Sequence, residues 1–167
     1  MDTPAIDERF LIAGQEYGDA LAELGLDPHA LFWAYDRDEK RHVLVLITDF
    51  FDFKGPLEIS RQLFRAYNAS ATPQEIDPFV VRLHSVNQMV GGSLNNFVSG
   101  GWTFNKMDKV TGKPDGLPME FEAFAQHGLE IKKGWVIRHR KIGPARKSVE
   151  LGRRWDRFTR NVDKVAA

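Results

Sequence analysis

Apolar positions are densest between His29 and Tyr67, and their pattern changes character along that stretch. Leu31, Trp33 and Tyr35 alternate with Ala30, Phe32 and Ala34, so both faces of an extended segment are apolar. Such a strand is covered on both sides or lies centrally in its sheet. Val43 to Ile47 is an unbroken β-branched and leucine run, which predicts a second buried strand. Asp36 to Arg41 lies between them and is fully charged, so it is expected to form a solvated turn joining two antiparallel neighbours. Gly55-Pro56 then opens a helix, with the proline tolerated in a first turn whose N–H has no partner. Leu57, Leu63, Phe64 and Tyr67 recur at roughly helical spacing and can face the sheet. This stretch is the expected centre of the core.

The flanking elements follow from the same reading. Ile6, Phe10, Ala13, Tyr17, Leu21 and Leu24 form one helical face, which predicts a helix over about 4–24 that begins at Thr3-Pro4 and stops at Gly25. Gly14 and Gly18 each weaken that helix by about 1 kcal/mol relative to alanine. Their presence is explained if another element must approach closely. Thr72 to Glu75 reads as a capped start that Asp77-Pro78 ends within a turn or two. Phe79 to Val86 reads as a third strand with one apolar face.

Gly91-Gly92 and Gly100-Gly101 are read as bracketing a short helix, Trp102 to Lys106 as a short strand, and Lys109 to Pro118 as a loop. Met119 to Phe124 fits either a strand or a short helix. Leu129–Ile131 and Trp135–Arg140 read as a hairpin joined by Lys132-Lys133-Gly134, and Gly143-Pro144 opens a final helix of about 144–164. Strands and helices mix without a βαβ rhythm. The expected fold is α+β: one domain over residues 1–167, with a mainly antiparallel sheet packed by N-terminal, central and C-terminal helices. An α/β three-layer fold is the alternative.

Composition narrows the function classes. The chain has 167 residues, no cysteine and 43% hydrophobic content, so a substantial core is affordable while disulfides, thiolate chemistry and cysteine-based zinc sites are excluded. The start is acidic and lacks the basic and apolar regions of a secretory signal. The longest aliphatic run is far below the ~20 residues of a membrane span. A cytoplasmic protein without a membrane partner is expected.

Motifs for hydrolytic or nucleotide chemistry are missing. The five histidines show no HExxH arrangement, no glycine pair fits a Walker or dinucleotide loop, and no GxSxG occurs. This leans away from an enzyme and calls for no cofactor and no metal. Two weaker constellations remain. Asp36, Asp38, His42 and Asp49 can be imagined around a cation, although a solvated turn beside a strand explains them more simply. Asp49 and Asp52 are paired carboxylates near a strand end, where acid–base chemistry, a cation or the capping of the following helix would each use them. An enzyme with an acid–base or metal site near Asp49, Asp52 and His42 is therefore one alternative. Phe50, Phe51 and Phe53 plug the core, or, if exposed, mark a loop for a protein partner.

Charge supplies the remaining signal. The chain is neutral, with 23 acidic and 23 basic residues, but residues 1–90 carry net −7 and residues 91–167 net +7. From Leu129 onward 12 Lys and Arg face 4 Asp and Glu. On the final helix Leu151, Trp155, Phe158, Val162 and Val165 form a heptad-like apolar stripe. Arg146, Arg153, Arg157, Arg160 and Lys164 fall within about 60° of arc on the far side. Arg138 and Arg140 add charge just upstream. The plain reading is a solvated outer face neutralised by the acidic half. The functional reading is a non-enzymatic binding module whose C-terminal segment contacts nucleic acid without reading sequence. A protein partner, or self-association, through Trp155 and Phe158 is the other alternative.

Overall fold

In the computed structural model, which describes residues 3–88, 123–126, 128–140 and 143–167, strand β1 (Ala30–Asp36) pairs antiparallel with β2 (Arg41–Thr48). Ala30 faces Ile47, and the register runs unbroken to Asp36 opposite Arg41. The charged connection closes through its own first residue. Asp36 Oδ1 accepts the backbone N–H groups of Asp38 and Glu39 at 2.9 and 3.0 Å, and Lys40 takes up a positive φ of 52°.

Both faces of this hairpin are buried, as the double apolar pattern requires. Leu31, Trp33, Leu44 and Leu46 face the helices; Ala30, Phe32, Ala34, Val43, Val45 and Ile47 form the opposite layer with Leu129 and Ile131. The described helices are α1 (Glu8–Leu24), α2 (Phe50–Lys54), α3 (Pro56–Asn68) and α4 (Ser148–Ala166). Their buried hydrophobic side chains all belong to the first layer.

The remaining strands are β3 (Val81–Ser85), β4 (Ala123–Gln126), β5 (Leu129–Lys132) and β6 (Val136–His139). The sheet order is β3-β2-β1-β5-β4, with β6 also on β1. Every pair except β2–β3 is antiparallel, and the fold is α+β. The exception arises because α2 and α3 carry the chain back along the sheet, so β3 re-enters in the direction of β2.

Several boundaries differ from expectation. Helix α1 begins at Glu8, not near residue 4, because Asp7 is the cap: its side chain accepts from Arg9 N at 2.9 Å. Thr3 to Asp7 instead runs alongside the sheet, with Thr3 Oγ1 donating to Glu130 and the Pro4 carbonyl bonded to His42 Nε2 at 3.1 Å. Gly25 does end the helix, at a φ of 100°, and Leu26 N closes back on Leu21 O at 2.9 Å.

Thr72 to Glu75 forms turns only, while Asp77 caps a 3-10 turn at Pro78–Val80. That turn takes Phe79 out of the strand, 70% exposed and edge-on to Phe64 at 4.9 Å. The expected hairpin of Leu129–Ile131 with Trp135–Arg140 does not exist. A 3-10 turn at Lys133–Trp135 leaves the chain direction unchanged, so β5 and β6 both lie antiparallel to β1, one against Tyr35–Asp36 and the other against Ala30–Phe32. Trp135 is the buried plug between them.

The Phe50–Phe53 segment is a helix rather than a loop. Phe50 is buried, and Phe51 and Phe53 pack partly on the core. The final helix starts at Ser148 rather than at residue 144. The stretches 89–122 expected to hold a short helix, a strand and a loop lie outside the described residues. Of Met119–Phe124 only Ala123 and Phe124 are described, and they open β4.

The glycines of α1 do what their helix-weakening cost suggests. A Cβ on Gly14 would stand 2.4 Å from Ile137 Cδ1 and 2.8 Å from Trp33 Nε1; one on Gly18 would stand 2.7 Å from Arg138 Nε. Trp33 cannot easily give way, because its Nε1–H donates to Phe10 O at 3.1 Å and its ring is buried.

Two stability predictions follow from this contact. Gly14→Ala should lower the melting temperature, because overpacking of about 1–3 kcal/mol outweighs the gain of about 1 kcal/mol in helix propensity. A higher melting temperature in thermal denaturation would mean that α1 does not press on the sheet there. Trp33→Ala should cost roughly 3–5 kcal/mol in denaturant unfolding; a variant as stable as the parent would remove Trp33 from the centre of the core.

Candidate nucleic-acid interface on the C-terminal helix

Helix α4 is fixed by its apolar stripe. Trp155, Phe158 and Val162 are buried and Leu151 partly so. Phe50 receives them, with Trp155 edge-on at 5.3 Å and Phe158 stacked at 6.3 Å. Val165, the expected last member of the stripe, is exposed because the helix runs on past the body. Two polar contacts hold the far end: Asn161 Nδ2 donates to Leu24 O at 3.0 Å, and Asp163 pairs with Arg65 at 2.7 Å. Since Trp155 and Phe158 are used up in the core, neither is available to a partner protein.

The outer face carries Arg153, Arg157, Arg160 and Lys164, all exposed. At 100° per residue they lie within about 60° of arc, and 11 residues of helix spread them over about 16 Å. Among the described residues none of the four makes an ion pair. Asp156 and Glu150 flank the line without joining it, and Asp163 is turned to Arg65.

The other basic residues of the segment are placed differently. Arg146 precedes α4 and folds back to Asp49, 3.6 Å from Oδ2, with Glu150 at 4.0 Å. Arg138 pairs with Asp19 of α1, and Arg140 with Asp27 at 3.1 Å and with the Asp27 carbonyl at 3.0 Å. These three candidates are thus drawn into contacts with the acidic half, away from the exposed line.

Asp49 is the centre of the strongest electrostatic cluster. Its carboxylate is only 12% exposed, and Oδ2 has His29 Nε2 at 3.5 Å and Arg154 Nη1 at 3.5 Å besides Arg146. Arg154, 18% exposed, also lies over the Phe50 ring at 5.3 Å. Sequence reasoning missed Arg154 because it is off the basic line. The available signal was its position beside the apolar stripe, where a charge must find a counter-charge.

Asp49 does not cap α2, although it occupies the cap position; Thr48 Oγ1 accepts Phe50 N instead, at 3.2 Å. Asp52 is held separately, accepting from Ser85 Oγ and from Asn87 Nδ2 at 2.9 Å. His42 is seven residues from Asp49 along β2, about 23 Å away, at the end that also holds Asp36 and Asp38. The imagined metal set is therefore divided between two ends of the sheet, and no group of metal-binding side chains gathers among the described residues. His29 Nδ1, the nitrogen a general base would need, is sealed from solvent and has no hydrogen-bond partner among the described residues. The cluster braces α4 against the end of β2.

Burial pushes the Asp49 carboxyl upward, but the hydrogen bond from His29 and the neighbouring cationic groups, Arg146 among them, outweigh it and hold the pKa below its ordinary value. A depressed folded pKa gives stability that is complete above the unfolded value, about pH 4, and lost as the pH falls through the lower folded value. Asp49→Asn should therefore be less stable than the parent near pH 7, by about 2 kcal/mol given the partial exposure of the arginines. That gap should narrow in melts taken at successively lower pH below about 4. A gap that stays constant to the acid limit would show that the charge on Asp49 does not tie α4 down.

No family model, curated protein or solved structure matches the chain.

Proposed function

We propose that the outer face of α4 contacts nucleic acid through its phosphates, without reading base sequence. The observation that carries this reading is a division among the basic residues. Arg138, Arg140, Arg146 and Arg154 are paired with carboxylates, whereas Arg153, Arg157, Arg160 and Lys164 stand in one exposed line with no pair among the described residues. Four cations over about 16 Å suit a row of phosphates on a polyanion. The face carries no asparagine or glutamine to read adenine, since Asn161 is turned to the Leu24 carbonyl. Phosphate contacts alone position a protein without specifying sequence.

Titration with duplex and single-stranded oligonucleotides at two salt concentrations tests the reading. Near 0.15 M salt a dissociation constant of about 10⁻⁴–10⁻⁶ M is expected, with log K falling against log salt at a slope of about −3.6 on duplex for four neutralised phosphates. Combined Arg153→Glu and Arg157→Glu should abolish binding while the melting temperature stays near the parent value, because both side chains are exposed. Absence of binding at that salt, or binding that survives the double reversal, would reduce the basic line to a solvated face.

A further inference from the structure

At the end of β2 remote from Asp49, a cavity of about 370 Å³ opens beside the start of α1. Its floor is apolar. Phe10 and Trp33 meet edge to face at 5.9 Å there. Its ionisable lining is Asp7, Glu75, Asp77 and His42, with no lysine or arginine among the described residues. Asp7 and Asp77 each accept one backbone N–H, from Arg9 at 2.9 Å and from Phe79 at 2.8 Å, which orients the carboxylates; Asp7 also faces the Arg9 guanidinium, whereas Asp77 has no ion pair among the described residues. Glu75 is exposed and has no partner among the described residues.

His42 adds no positive charge to balance them. A carbonyl only accepts, so His42 Nε2 must donate to Pro4 O; burial and then the nearby Lys132 charge lower the pKa of the ring further than that bond raises it. The cavity thus joins an aromatic floor to a negative wall. The chain already shows this chemistry just outside it: the Arg9 guanidinium lies 4.9 Å from the centre of the Phe10 ring and 3.7 Å from Asp7.

We propose that this cavity binds a small organic cation, an ammonium group on an aliphatic stem, with the stem against Phe10 and Trp33 and the charge facing Glu75 and Asp77. An anion of the same shape is repelled by the wall, and a neutral molecule gains only from the floor.

Three probes of matched stem decide the matter: n-hexylammonium, 1-hexanol and hexanoate, titrated into the full chain. The readout is the indole N–H resonance of Trp33, identified by its loss in Trp33→Phe. Hexylammonium should move that resonance with a dissociation constant on the order of 10⁻³ M, as the ligand efficiency of a very small molecule allows. Hexanol should bind about tenfold more weakly and hexanoate not at all. Glu75→Gln should weaken hexylammonium about threefold or more. Asp77→Asn keeps an acceptor for Phe79 N and should weaken it similarly. The proposal fails if hexylammonium leaves the resonance unmoved, if hexanol binds as tightly, or if neither carboxylate substitution changes the affinity.

Discussion

A carboxylate that is nearly sealed from water must be compensated, and Asp49 is compensated by three groups from distant parts of the chain. His29 enters from just before β1, Arg146 from the segment leading into α4, and Arg154 from α4 itself. Isolated, a charge this buried would be costly to the folded state. The cluster therefore acts less as a source of net stability than as a constraint on arrangement, because removing Asp49 leaves His29, Arg146 and Arg154 partly desolvated without their shared carboxylate. It fixes where α4 begins relative to the end of β2. The apolar stripe then fixes the helix's rotation through Phe50, Trp155 and Phe158. Once position and rotation are set, the face carrying Arg153, Arg157, Arg160 and Lys164 can only point outward.

The elements legible in the sequence were those in which burial alone decides structure. The doubly apolar β1 and the aliphatic run of β2 admit few alternatives, and α1 and α4 each carry an apolar face long enough to be unambiguous. Gly14 and Gly18 were readable because a glycine inside a helix needs a reason, and here the reason is Ile137, Trp33 and Arg138 pressing on the backbone. What could not be read depended on contacts far apart in the chain. The parallel entry of β3 follows from the path of α2 and α3. The placement of β5 and β6 on β1 rather than on each other follows from one 3-10 turn and the burial of Trp135. Local pattern describes β5 and β6 equally well as a hairpin. Asp49 looked like a cap for the same reason: its partners lie more than 95 residues away, apart from His29.

The charge asymmetry along the sequence becomes partly internal on folding. Asp19 takes Arg138, Asp27 takes Arg140, Asp49 takes Arg146 and Arg154, and Glu130 is taken in turn by Arg37. Most of these pairs join the acidic N-terminal half to the basic segment after Leu129. Partly exposed pairs of this kind contribute little energy individually, so their effect is mainly on which surfaces face one another. Some charges keep no ion pair among the described residues. They include the cationic line on α4, and Glu75 and Asp77 beside the cavity at the start of α1.

The cationic line also works against the helix that bears it. Arg153 and Arg157, Arg157 and Arg160, and Arg160 and Lys164 are neighbours at i,i+4 or i,i+3 on one face. Like charges at those spacings destabilise a helix by about 0.2–0.5 kcal/mol per pair, and only the cations of the last turn are favoured by the helix dipole. A glutamate in place of Arg157 or Arg160 would have removed two repulsions and added attractive pairs, at no loss of core packing, because the apolar stripe lies on the opposite side. Asp156, three residues after Arg153 and four before Arg160, offsets part of that repulsion, although no ion pair with the line forms among the described residues. An anionic surface outside the chain would offset more of it, and would gain most where the four charges are held in line by a helix whose own position is already fixed by Asp49.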